Sequence, residues 1–197
     1  MRLFIALEIP EPVRREVARR LAGVRDRLPH AKWVDPANLH LTLVFLGEVA
    51  EDRVPALAER LCEAFAPFPP LPMRIRGAGT FPPSRPARVA WLGLDAPDDL
   101  AALQAAATQA AVDAIGHEPE EREYRAHVTL ARCQSPWRRD AVDRFVAAFP
   151  GETGPPFVVG HGVLMQSKLS PKGALYKVVA ELPLLGDEPE DGEGEGA

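Results

Sequence analysis

Long apolar runs are absent from this chain of 197 residues. No stretch approaches the ~18–20 residues that a membrane-crossing helix needs, so such a helix is not expected. Cysteine is nearly absent. Cys62 falls on an amphipathic stretch and Cys133 follows an apolar run. Their spacing does not fit a metal site, so both read as ordinary thiols. Lysine is scarce too, with four residues against 19 arginines. No G-x-x-x-x-G-K loop is present to hold a nucleotide triphosphate. The opening residues Met1 to Pro10 are charged too early for a signal peptide, which makes a cytoplasmic location the expectation.

The net charge of −5 is uneven. Asp187 to Ala197 carries six acids and no base, leaving 22 acids and 23 bases in the rest of the chain, which is +1. A near-neutral body argues against a broad basic face for duplex nucleic acid but leaves a single-stranded substrate open. The Gly- and Glu-rich tail, 185–197, cannot build a core and is expected to be disordered.

Hydrophobic content of 46% is that of a globular protein. Leu3 to Ile9 reads as a strand, and Val13, Val17, Leu21, Val24 and Leu28 follow helical spacing. Leu39 to Leu46 is a second strand. Val54, Leu57, Leu61 and Phe65 mark a helix with Asp52 as candidate cap. Met73 to Ala78 reads as a strand. Pro82, Pro83 and Pro86 interrupt regular structure and suggest a boundary between halves. Arg88 to Leu94 is then a strand, and Leu100 to Ile115 an Ala-rich helix. Ala126 to Ala131 is another strand, and Ser135-Pro136 reads as the start of a helix. Phe157 to Met165 and Leu175 to Leu182 read as strands, with Ser167 to Gly173 a loop between them.

The layout of strand, helix, strand, helix, strand therefore occurs twice. It predicts one bilobal α+β domain over residues 1–184, with pseudo-twofold half-units at roughly 1–79 and 88–184. Antiparallel sheets would face each other, with helices outside and a cleft between.

Equivalent positions of the two halves carry His40-Leu41-Thr42-Leu43 and His127-Val128-Thr129-Leu130. In a strand, alternate side chains share a face. Each motif thus presents an imidazole and a hydroxyl on one side and two apolar groups on the other. With only five histidines and five threonines in the chain, this match is unlike chance. His30, His117 and His161 lack such support and read as structural or surface residues. Two imidazoles with no Asp or Glu in either run suit acid and base chemistry better than a metal. The hydroxyls suit the oxygens of a phosphate ester. Arg132, five residues after His127, has the wrong parity for the cleft unless the strand bends.

These residues resemble the 2H phosphoesterase superfamily, and most closely its RNA 2′,3′-cyclic phosphodiesterases, also called 2′-5′ RNA ligases. The resemblance runs through Met1 to Leu7, Asn38 to Gly47, Phe81-Pro82-Pro83 with Arg88 to Gly93, and His127 to Arg132. Met165 to Leu169, Gly173 and Tyr176 complete it. Ala126 departs from the proline that the family often has before the second histidine. The resemblance implies a two-histidine site without metal or other cofactor, acting on RNA ends that bear a 2′,3′-cyclic phosphate. The implied product is a 2′-phosphate. It implies His40 as general acid and His127 as general base, although the sequence itself allows the reverse. Thr42, Thr129 and Arg132 would bind the phosphate. Phe4, Trp33, Phe81 and Tyr176 are candidates for stacking on a terminal base. A monomer without membrane association is the expectation. The alternatives are RNA ligation by the reverse chemistry, a small cyclic nucleotide as substrate, a noncatalytic RNA-end-binding module, and a dihistidine metal hydrolase.

Overall fold

The computed structural model describes residues 1–83, 86–170 and 173–187. The acidic tail from residue 188 lies outside them. In chain order the elements are β1 (Arg2–Glu8), α1 (Glu11–Ala22), β2 (Ala31–Trp33), β3 (His40–Glu48), α2 (Val54–Phe65), β4 (Leu71–Phe81) and β5 (Ala87–Asp95). There follow α3 (Asp99–Ile115), β6 (Val128–Trp137), α4 (Arg139–Ala147), β7 (Glu152–Val159), β8 (His161–Ser170) and β9 (Gly173–Pro183). The strands form one antiparallel sheet in the order β7-β4-β5-β6-β3-β1-β8-β9, with β2 also paired to β6.

The apolar periodicity accounts for most of these elements. Leu3, Ile5 and Leu7 of β1 and Val13 and Val17 of α1 are essentially inaccessible to solvent. So are Leu57, Leu61 and Phe65 on α2. Burying each such side chain contributes about 1.5–3 kcal/mol. Helices α2 and α3 pack on each other and on the β3, β8 and β9 side, whereas α1 packs on β7 and α4 on β4. The fold is thus bilobal, but each lobe draws on both halves of the chain.

That interleaving corrects the expected division near residues 80–86. Strands β4 and β5 pair with each other, so the proline-rich segment joins a hairpin within one lobe. Strand β4 sits with the second-half strands β5, β6 and β7, while β8 and β9 complete the sheet edge beside β1. Strand pairing between distant segments decided this, and local patterning does not encode it.

Other boundaries shift as well. Ser135 and Pro136 lie in β6, and the helix begins only at Arg139. Trp137 explains the change: it is fully buried while the strand continues, pairing with Ala87. The expected strand over Phe157 to Met165 breaks at Gly160 into β7 and β8. The segment expected as a loop is largely strand, with Ser167 opposite Tyr176 and Ser170 opposite Gly173. Asp52 makes no cap; Arg53 occupies the cap position, without a side-chain bond. Among the described residues, no helix is long and apolar enough to cross a membrane.

Candidate active site

The two lobes of the sheet meet between β3 and β6 at one matched pair, Leu41 opposite Val128. Both side chains are buried in the core. Continuing that antiparallel register by one residue sets His40 beside Thr129 and Thr42 beside His127. All four are half-buried. The alternation expected from sequence thus brings the two motifs to one junction.

Each imidazole is tethered in the same way. Nδ1 of His40 lies 2.8 Å from the carbonyl oxygen of Asn38, and Nδ1 of His127 lies 2.7 Å from that of Arg125. A carbonyl only accepts, so Nδ1 carries the hydrogen in both rings. Nε2 is then the nitrogen left for chemistry, with a lone pair when the ring is neutral and a proton when it is charged. The tether of His40 is itself held in place. Asp35 accepts from the Ala37 amide at 2.9 Å, and the Asn38 side chain donates to the Ala174 carbonyl at 3.3 Å.

Aromatic rings wall the imidazoles. His40 packs on Phe4 at 4.9 Å and edge-on to Tyr176 at 5.3 Å. His127 meets Phe81 edge-on at 5.0 Å and Trp91 at 6.3 Å. Trp91 reaches this place because Gly79 lies under its ring; a Cβ there would come within 2.4 Å of the indole. Burial pushes the pKa of His40 below its ordinary value of 6.5, and the charge of His127 acts in the same direction. The bond to Asn38 and the charge of Glu8 oppose this. Between the folded value and 6.5 the unfolded chain binds more protons at His40, so this group withdraws stability as pH falls through that window.

A bulge turns Arg132 onto the face of Thr129, although Arg132, Thr129 and His40 are not in the lining of the adjoining cavity. On β6, Ala131 pairs with Ala90 but Thr129 pairs with Trp91, leaving Leu130 as an extra residue. One inserted residue reverses the side-chain parity. Arg132 pairs with Val89 and so shares the face of Trp91 and Thr129. Its charge also lowers the pKa of Tyr176, against the larger upward push of burial. A matching bulge occurs on β3, where Val44 pairs with Ile5 but Thr42 pairs with Ala6. The extra residue is Leu43, and Phe45 becomes the counterpart of Arg132. Phe45 is 42% exposed, with the Arg2 guanidinium 5.0 Å from its ring centre.

Beyond the Leu41–Val128 pair the sheet opens into a cavity of about 780 Å³, whose walls include Thr42, Phe45, Phe81, Gln104, Tyr124 and His127. Side chains satisfy the free edge of β3. The Tyr124 hydroxyl donates to the Thr42 carbonyl at 3.2 Å, and the Gln104 amide to that of Leu43 at 3.4 Å. Sequence reasoning missed Gln104, Tyr124 and Phe45. Phe45 carried a signal, an aromatic within the first motif, but its face depends on the bulge. Of the aromatic candidates, Phe81 and Tyr176 border the histidines. Phe4 is a buried wall at 3% exposure, and Trp33 packs instead on Trp137 at 5.9 Å. Among the described residues, no three His, Cys, Asp or Glu side chains gather as metal ligands.

Comparison with known proteins gives a consistent set. Residues 7–91 match the family model described as LigT like phosphoesterase. The chain is 31% identical over 176 residues to the RNA 2′,3′-cyclic phosphodiesterase of Methanothermobacter thermautotrophicus, covering 89% of this chain and 95% of that one. It is 33% identical over 180 residues to the enzyme of the same name from Archaeoglobus fulgidus, covering 90% and 97%. Among solved structures it resembles TT0787 of Thermus thermophilus, with a TM-score of 0.80, 29% identity, and coverage of 95% and 100%. E. coli LigT complexed with 3′-AMP matches with a TM-score of 0.75 and 26% identity, covering 93% of this chain and 97% of that one.

Proposed function

Because the chain belongs to the LigT-like phosphoesterase family and is a phosphodiesterase, we propose that it opens 2′,3′-cyclic phosphates at RNA ends by acid–base catalysis between His40 and His127. Water attacks phosphorus, the bond to the 3′ oxygen breaks, and the product carries a 2′-phosphate and a 3′-hydroxyl. His127 takes the proton of the attacking water at Nε2. His40 delivers a proton from Nε2 to the departing 3′ oxygen. Thr42, Thr129 and Arg132 hold the nonbridging oxygens, where hydrogen-bond donors stabilise the charge that develops. The ring strain of the cyclic ester leaves the protein mainly the tasks of positioning and proton transfer.

The observation that carries this reading is the matched pair of Nδ1–carbonyl tethers at the β3–β6 junction. Two rings held alike, each with Nε2 unpaired among the described residues, are equipped to exchange roles as acid and base. Among the described residues, the junction offers two imidazoles and two hydroxyls, and no group of three His, Cys, Asp or Glu side chains stands there to hold a metal.

The pH dependence of kcat/KM tests the pair. One ring must be neutral and the other charged, so the profile is expected to be bell-shaped. Burial lowers the pKa of His40, so the limb that reports its titration should lie at lower pH than an unburied imidazole would give. A rate that climbs steadily with pH would instead indicate a single base. An alcohol in place of water would give 2′-5′ ligation at the same site; in bulk water, hydrolysis should dominate.

A further inference from the structure

Strand β2, which the sequence pattern did not reveal, places Lys32 directly opposite Arg132 of β6. Paired residues of an antiparallel ladder share a face and stand about 4.5–5.5 Å apart at Cβ. Lys32 therefore projects from the face that carries Arg132, Thr129 and Trp91. Both cations are exposed. Like charges directly opposite each other destabilise a sheet. Among the described residues, neither cation has a carboxylate within ion-pair distance, whereas two arginines of strand β4 are matched. Arg74 pairs with Glu152, and Arg76 lies 3.8 Å from Asp95.

The strand that creates this clash is firmly held. On its other face Trp33 packs on Trp137, with the Arg25 guanidinium 5.9 Å from the Trp33 ring. The ladder extends to a bond from the Gln134 amide to the His30 carbonyl at 3.4 Å. Two unneutralised cations on a firmly held strand pair, on the face of Thr129, fit a polyanion.

We propose that Lys32 and Arg132 form a track for the sugar–phosphate backbone of single-stranded RNA entering the cleft, so that an oligonucleotide end is bound in preference to a cyclic mononucleotide. This rests on the phosphodiesterase reading and deepens it by naming a residue that would hold the RNA chain beyond the reacting phosphate. Lys32, a compact charge on a flexible stem, follows a backbone without reading its sequence.

The test compares a cyclic mononucleotide with a short RNA ending in a 2′,3′-cyclic phosphate, for the wild type, Lys32→Gln and Lys32→Glu. The wild type should have the higher kcat/KM on the oligonucleotide. Lys32→Gln should lower the oligonucleotide-to-mononucleotide ratio about tenfold, the scale of one lost phosphate contact, and flatten its salt dependence by roughly 0.7 in the log–log slope. Lys32→Glu should lower the ratio further yet melt no lower than the wild type, because glutamate faces Arg132 favourably. A loss of binding together with an unharmed fold separates this role from a structural one. An unchanged ratio and slope in both variants overturn the track. If the wild type turns over neither substrate, the phosphodiesterase reading fails. Fluorescence anisotropy with a 3′-phosphate-ended oligonucleotide then decides the track on its own: weaker, less salt-dependent binding by both variants supports it, and unaltered binding overturns it.

Discussion

Alanine at His40 or at His127 should lower turnover of a 2′,3′-cyclic phosphate by roughly 10²–10⁴-fold, the usual scale for a positioned acid or base. Folding should be largely spared, since both rings are half-buried at the cleft and lie outside the main core. Each variant loses one tether to a carbonyl and some contact with aromatic neighbours, Phe4 and Tyr176 for His40 and Phe81 and Trp91 for His127. The double variant should be little slower than either single one, because an acid and a base that act in one step fail together. Steady-state rates on a cyclic-phosphate oligonucleotide, read beside thermal melts, check this. Near-normal turnover by either folded variant removes that histidine from the mechanism.

The second large effect concerns the junction itself. Leu41 is fully buried and forms the matched pair with Val128 that joins β3 to β6. Leu41→Ala removes packing and leaves a cavity, a change that costs about 2–5 kcal/mol. For a chain of this size each kcal/mol shifts the melting temperature by roughly 2–4 °C, so a fall on the order of 4–20 °C is expected. Leu41→Met keeps most of the volume and should cost less than about 1.5 kcal/mol. Leu185, 70% exposed, provides the control, with no measurable change expected on truncation. Activity of folded Leu41→Ala should also drop, because the register at Leu41 sets His40 against Thr129. A melt within a degree of wild type, with full activity, contradicts the assignment of the junction.

The part of this architecture that is periodic was legible in the sequence. Leu41 and Leu43 are buried beside half-buried His40 and Thr42, as are Val128 and Leu130 beside His127 and Thr129. Helices α2 and α3 follow their apolar spacing closely, whereas α1 ends at Ala22, short of Val24 and Leu28, which the same spacing had included. What depends on a partner strand was not legible. The extra residues Leu43 and Leu130 are defined only by two-against-one pairing with β1 and β5. Without that pairing, Arg132 reads as pointing away from the cleft and Phe45 as a core residue. β2 has three residues, too few for a periodic signal, and its pairing with β6 is long-range. The placement of β4, β8 and β9 within the sheet is hidden for the same reason. Ser135-Pro136 resembles a helix start locally, but burial of Trp137 keeps the chain extended.

The central claim is that two histidines, without a metal, open a cyclic phosphate toward the 2′-phosphate. One measurement addresses it most directly: incubation with an RNA oligonucleotide ending in a 2′,3′-cyclic phosphate, in the presence and absence of excess chelator, with identification of the product isomer. The account predicts equal rates in both and a 2′-phosphate with a free 3′-hydroxyl. Activity abolished by the chelator, or a product ending in a 3′-phosphate, contradicts it.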